Sequence, residues 1–136
     1  MGRKVHPIGF RLAVSHGWQG RWFAEGTQYR EQLQQDFAIR KLVQEISPKA
    51  GVSRVEVERY PGKVKVTVNT AKPGILIGRK GEGVKKVREG LQELVGKKVD
   101  LDIKELSAPD TDAYLVARNI ADQMERRIAY RRAMKK

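Results

Sequence analysis

The sequence predicts an α+β domain in the order αββααβ, a three-stranded sheet packed on helices, set between an N-terminal arm and a C-terminal basic helix. Two observations point to the sheet: valines alternate with polar residues on both sides of Pro61-Gly62, and apolar and charged residues alternate again through "KKVDLDIKEL". A third points to the helices, because the longer stretches flanking these runs carry apolar residues three and four apart and end at glycine or proline. The resulting boundaries are an arm over 1–26, a domain over 27–106 and a terminal helix over 107–136.

The arm holds Arg3, Lys4, Arg11 and Arg21, no acid before Glu25, and Phe10, Trp18, Trp22 and Phe23 spaced among glycines, with no sustained period. A polar linker would not carry two tryptophans, so the arm is expected to order against its own domain, a protein neighbour or RNA. From Thr27, read as an N-cap, Tyr29, Leu33, Phe37, Leu42, Val43 and Ile46 recur at helical spacing until Ser47-Pro48 and Gly51 stop the pattern. "SRVEVERY" sets Val55 and Val57 against Glu56 and Glu58, Pro61-Gly62 turns, and "KVKVTVNT" sets Val64, Val66 and Val68 against Lys63, Lys65 and Thr67, which makes a hairpin. After Lys72-Pro73, Ile75-Leu76-Ile77 suffices for one helical turn, and Val84, Val87, Leu91, Leu94 and Val95 mark a longer helix that Gly96 ends. The third strand points Val99, Leu101 and Ile103 inward. Ser107 and Asp110 read as a capping box around Pro109, and a single last helix runs on Val116, Ile120, Met124 and Ile128 toward the C-terminus.

Charge narrows the function classes. Lys plus Arg number 28 against 16 Asp plus Glu, a net +12 over 136 residues, and such a field gathers polyanions. No apolar run approaches the ~18 residues of a membrane span, so a soluble, membrane-independent protein is expected. "MGRKVHPIGF" lacks the apolar core of a signal peptide. The absence of cysteine rules out disulfides and thiolate chemistry and fits a reducing cytosol. His6 and His16 have no cluster around them, so His6 reads as a turn or RNA contact and no metal site is expected.

The stretch "GILIGRKGEG" carries the sharpest signal. A Walker A loop would need Lys-Ser/Thr after the second glycine, where Gly83 is followed by Val84-Lys85, and a dinucleotide fingerprint fails on spacing as well. The remaining pattern is G-x-x-G, Gly78-Arg79-Lys80-Gly81, between two helices that lie between strands. Two glycines let backbone amides approach a sugar-phosphate chain, the following helix N-terminus adds partial positive charge, and Arg79 and Lys80 supply cations. That combination holds about four nucleotides of backbone in the KH mode. The pattern alone is weak: Gly17-Trp18-Gln19-Gly20 repeats it without helical context, and turn punctuation is the competing reading.

Near the C-terminus, Arg127, Arg131 and Lys135 are four apart, as are Arg132 and Lys136. Like charges at that spacing cost an isolated helix roughly 0.2 to 0.5 kcal/mol per pair, so the stripe calls for a polyanion, against the alternative of a solvated face. Acid pairs that could nominate a metal-dependent nuclease, Asp100 with Asp102 and Asp110 with Asp112, read instead as solvated strand and turn residues, and no catalytic residue is assigned.

"VNTAKPGILIGRKG" with its preceding hairpin resembles the type II KH domain of the bacterial and organellar ribosomal small-subunit protein three family. "MGRKVHPIGFRL", Trp18 and "WFA" at 22–24 resemble that family's arm, and "ARNIADQMERRIAYRRAMKK" resembles the helix after its KH domain. The resemblance implies a non-enzymatic, cofactor-free constituent of the small ribosomal subunit, in the cytoplasm or an organelle. It implies that Arg3, Lys4 and Arg11 meet ribosomal RNA phosphates in the head beside proteins ten and fourteen, with Trp18 and Trp22 packed. It further implies that Arg131, Arg132 and Lys135 line the channel through which mRNA enters, beside proteins four and five, with no ATP-driven helicase. Family chains normally continue into a second α/β domain, and the 136 residues stop short of it, as a truncated or reduced form would. A free-standing KH regulator binding single-stranded transcripts is the alternative; it would share the glycine turn but needs neither the aromatic arm nor the basic stripe.

Overall fold

A computed structural model describes residues 2–135. Its frame is the hairpin: β2 (Val52–Tyr60) and β3 (Lys63–Thr70) pair antiparallel through a turn at Pro61-Gly62, where Gly62 takes φ +79°. β4 (Lys98–Glu105) pairs parallel to β3, with Val64, Val66 and Val68 beside Val99, Leu101 and Ile103. A parallel partner requires a crossover, and the crossover is α3 (Pro73–Ile77) followed by α4 (Glu82–Val95), which ends at Gly96 in the left-handed region.

The sheet has four strands rather than three. β1 (Gly20–Arg21), from the arm, pairs parallel to β2, and the Val57 amide donates to the Gln19 carbonyl at 2.8 Å. Two residues without alternation give no strand signal; what creates the strand is the open edge of β2, whose unpaired amides need acceptors. The order is β1-β2-β3-β4, so the arm and β4 occupy opposite edges.

One face of the sheet is covered by helices. Ile39 and Val43 of α2 (Gly26–Ile46), Leu76 of α3, and Val87, Leu91 and Val95 of α4 bury against Val52, Val55, Val57, Val64, Val66, Val68 and Val99. Each such side chain withdrawn from water contributes about 1.5–3 kcal/mol against its ordering entropy. The buried face of α2 is narrower than its sequence pattern: Tyr29, Phe37 and Ile46 are exposed, while Ile39, absent from the expected stripe, is fully buried. Thr27 does not cap this helix, which starts at Gly26 with Glu25 in the cap position and no side-chain bond. At its other end a short turn (Pro48–Ala50) and Gly51 at φ +66° lead into β2, and the Thr70 hydroxyl donates to the Ala50 carbonyl at 2.6 Å.

The C-terminal region departs further from expectation. Ser107 and Asp110 do not form the cap; Asp112 does, accepting from the amides of Tyr114 and Leu115 at the start of α5 (Ala113–Glu125). The Ser53 hydroxyl of β2 donates to the other Asp112 oxygen at 2.5 Å, tying α5 to the sheet. This hydroxyl is the main cause holding the Asp112 carboxyl below its ordinary range; partial burial opposes it, and the Leu115 and Tyr114 amides and Arg54 reinforce it. The expected single last helix is two. Arg127 enters the left-handed region at φ +62°, its amide bonds Met124 at 2.9 Å, and the Ile128 amide bonds Gln123 at 3.1 Å. That is the paired-bond C-terminal motif that usually employs glycine. A second helix, α6 (Tyr130–Met134), follows and buries Ala133.

Candidate nucleic-acid interface

The glycine turn is built by two helices forced into close approach. Pro73 at the first position of α3 fixes its start, Leu76 points into the core, and Ile75 and Ile77 remain exposed beside the turn. The Gly78 amide closes α3 on Gly74 at 3.0 Å, and Gly78 then takes φ +69° with ψ 179°, a conformation essentially confined to glycine. Lys80 at φ +52° and Gly81 at φ +78° complete a short turn that delivers the chain to α4 at Glu82. A Cβ on Gly83 would stand 2.3 Å from the Leu76 carbonyl oxygen, so α4 can cross α3 only if this residue is bare.

The arrangement is suited to an anion. Gly81 is the N-cap of α4 and supplies no side chain, so the first amides of this 14-residue helix have no side-chain cap. Arg79 and Lys80 are exposed at the tip and form no ion pair among the described residues. Lys85 and Lys86, exposed within the first two turns of α4, add cations that lie outside the G-x-x-G pattern. Gly83 was likewise missed as a structural requirement; its helical conformation leaves no turn signal, and only the third glycine in close succession hints at it.

The remaining cations lie elsewhere. Arg3 and Lys4 are exposed ahead of α1 (Pro7–Arg11), and the Arg11 guanidinium donates to the Pro7 carbonyl at 3.1 Å. The His6 ring nitrogen accepts from the Gly9 amide, a turn role. The arm pairs at the β1 edge while the glycine turn lies in the β3–β4 crossover, and among the described residues no ion pair joins the arm cations to that turn. Arg131, Arg132 and Lys135 do converge: with Gln123 and Ile128 they line an open cavity of about 780 Å³. Arg127 is not among them, because the helix break removes it from the four-residue stripe. Lys136 lies outside the described residues.

The two tryptophans have different fates. The Trp22 indole N–H donates to Asp36 at 2.8 Å, Arg59 stands 5.6 Å from the ring centroid, and Tyr29 packs at 5.6 Å with a 48° tilt. Asp36 is 2% exposed and its other oxygen accepts from Arg59 at 2.6 Å, so the buried carboxylate is both paired and hydrogen-bonded. Trp18, by contrast, remains 59% exposed. Tyr60 also has a displaced pKa, pushed up by its hydrogen bond to the Glu58 carboxylate and by that charge, and it belongs to the hairpin rather than to the glycine turn.

A family profile described as "KH domain" matches residues 38–111. Over 135 residues the chain is 50% identical to the small ribosomal subunit protein uS3 of Dehalococcoides mccartyi, covering 99% of this chain and 49% of that protein. It is 49% identical to uS3 of Akkermansia muciniphila, covering 100% of the chain and 60% of the relative. Against uS3 of Caldicellulosiruptor bescii the identity is also 49%, with 99% and 61% covered. The chain thus spans between about half and three fifths of these relatives' lengths.

Proposed function

Because this chain belongs to the KH domain family, we propose that it is an RNA-binding structural constituent of the small ribosomal subunit. The observation that carries the reading is the Gly78–Gly81 turn: two glycines at positive φ leading into a helix N-terminus that has no side-chain cap, tipped by two exposed cations with no ion pair among the described residues. The likeness to the uS3 proteins, which extends through both the arm and the terminal helices, supports placing it on the ribosome.

In this reading residues 27–106 form the KH domain. Gly78, Arg79, Lys80 and Gly81 grip a sugar-phosphate backbone while Arg3, Lys4 and Arg11 of the 1–26 arm meet ribosomal RNA in the head, next to proteins ten and fourteen. Arg131, Arg132 and Lys135 in the 107–136 segment face incoming mRNA beside proteins four and five, and their convergence on one open cavity supports that role. Arg127 contributes charge at the helix break rather than in the stripe. The ribosome would keep the protein in the cytoplasm or an organelle matrix, with neither cofactor nor catalysis. No described helix is long and apolar enough to cross a membrane.

The test is co-sedimentation of the tagged chain with small subunits through a high-salt wash. Retention of the wild type, with at least tenfold less of an Arg79→Asp, Lys80→Asp variant retained, is the expected result. Both substitutions are at exposed positions, and Asp tolerates the left-handed conformation of residue 80 better than most side chains. Complete release of the wild type, with binding to isolated single-stranded RNA intact, would favour the free-standing regulator.

A further inference from the structure

Where the arm lies along α2 there is a cavity of about 580 Å³, lined chiefly by Trp18, Trp22, Tyr29, Arg21, Asp36 and Arg40. Its size is within the range of small-ligand sites. Three aromatic rings and two guanidinium groups around one space are more than the fold requires. Trp22 is held by Asp36 and Arg59, but Trp18 and Tyr29 are 59% and 50% exposed, and the side chains of both have no hydrogen-bond partner among the described residues.

The charges decide what could enter. Asp36, the acid in the lining, is already neutralised by Arg59 at 2.6 Å. Arg21 is paired with Glu58 at 3.2 Å on an otherwise exposed side chain. Arg40 makes no ion pair among the described residues; its Nε, like that of Arg59, is shielded from solvent and so is not the atom that faces the cavity. An Arg40 guanidinium without an ion pair beside exposed aromatic faces suits an acceptor carrying negative charge, attached to a flat group that stacks.

An unstacked nucleotide has both parts. We propose that this cavity binds one extruded base of a single-stranded RNA segment, stacked against Trp18 and Tyr29, with its phosphate or an acceptor on the base edge held by Arg40 and Arg21. The site is separate from the glycine turn, with which it shares no lining residue, and it rests on the reading that the chain binds RNA.

Trp18 and Trp22 are the chain's two tryptophans and both line this cavity, so tryptophan emission reports on it, and the Trp18→Leu variant separates it from the neighbouring cavity that Trp22 also lines. The experiment titrates the full chain with a 5′-labelled adenylate hexamer, reading label anisotropy for binding and tryptophan emission for the cavity. The expected result is saturable quenching whose midpoint rises roughly 5- to 100-fold in Trp18→Leu, the effect of losing one base stack, and rises likewise in Arg40→Gln. The exposure of Trp18 makes Trp18→Leu safe for folding, which circular dichroism checks for both variants. Anisotropy that rises while emission stays constant overturns the inference and leaves the RNA-binding reading standing, the cavity then taking a protein side chain or nothing. Quenching indifferent to both substitutions overturns it too. No anisotropy change at all defeats the RNA-binding reading and this inference with it.

Discussion

Glycine 83 sets how closely α3 and α4 can approach, and Gly90, two turns further along α4, provides its control. An added Cβ at 83 would collide with a backbone carbonyl, whereas at 90 it would meet the Leu42 methyls at 3.4 and 3.6 Å, ordinary contact distances. Gly83→Ala is therefore expected to destabilise the domain by about 2 kcal/mol or more, because backbone cannot yield as a side chain does. Gly90→Ala is expected to stabilise it by roughly 0.5–1 kcal/mol, the helix-propensity gain of alanine. Urea unfolding of both variants checks the opposite signs. The two residues also mark what one sequence discloses. Gly78 and Gly81 were legible because a turn between helices demands unusual dihedrals at that spacing. Gly83 was not, since its φ is helical and its necessity comes from a carbonyl seven positions earlier.

At the scale of elements, the three long strands were legible, and β1 and the joints were not. Apolar residues alternating with polar ones, mostly valines, identified β2, β3 and the inward face of β4, because a half-buried strand repeats with period two. The cap of α5 was misassigned to Ser107 and Asp110 because several capping residues crowd one turn, and the choice of Asp112 is made by Ser53 on a distant strand. The break before α6 escaped because Arg127 occupies a position where glycine would have announced it. The Ser53 contact has a pH signature. The Asp112 pKa is depressed in the folded state, so the contribution is complete above the unfolded value, about 3.9, and is lost as pH falls through the folded value. Ser53→Ala should cost about 1 kcal/mol at pH 7, discounted for partial exposure, and the difference from wild type should shrink at pH 3. A pH-independent difference in urea midpoints would assign the loss to packing instead.

For the whole molecule, +12 charges are not spread evenly but gathered on the arm, the glycine turn with the start of α4, and the terminal segment. The sequence disclosed the three groups; which of their members act together is a property of the fold, since the helix break keeps Arg131, Arg132 and Lys135 on one cavity and drops Arg127. A single strand long enough to touch more than one group, such as an unstructured RNA of about thirty nucleotides, should release counterions from each. Each phosphate contact contributes about 0.7 to the slope of log affinity against log salt on single strands. Replacing Arg131, Arg132 and Lys135 by glutamine should then lower that slope by up to about 2, and replacing Arg79 and Lys80 by up to about 1.4. Because the two sets lie on different elements with no shared ion pair among the described residues, their effects should add. A combined variant whose slope falls no further than the larger single change would mean that one strand engages the turn or the terminal segment but never both, which would make the two alternative rather than joint contacts for RNA.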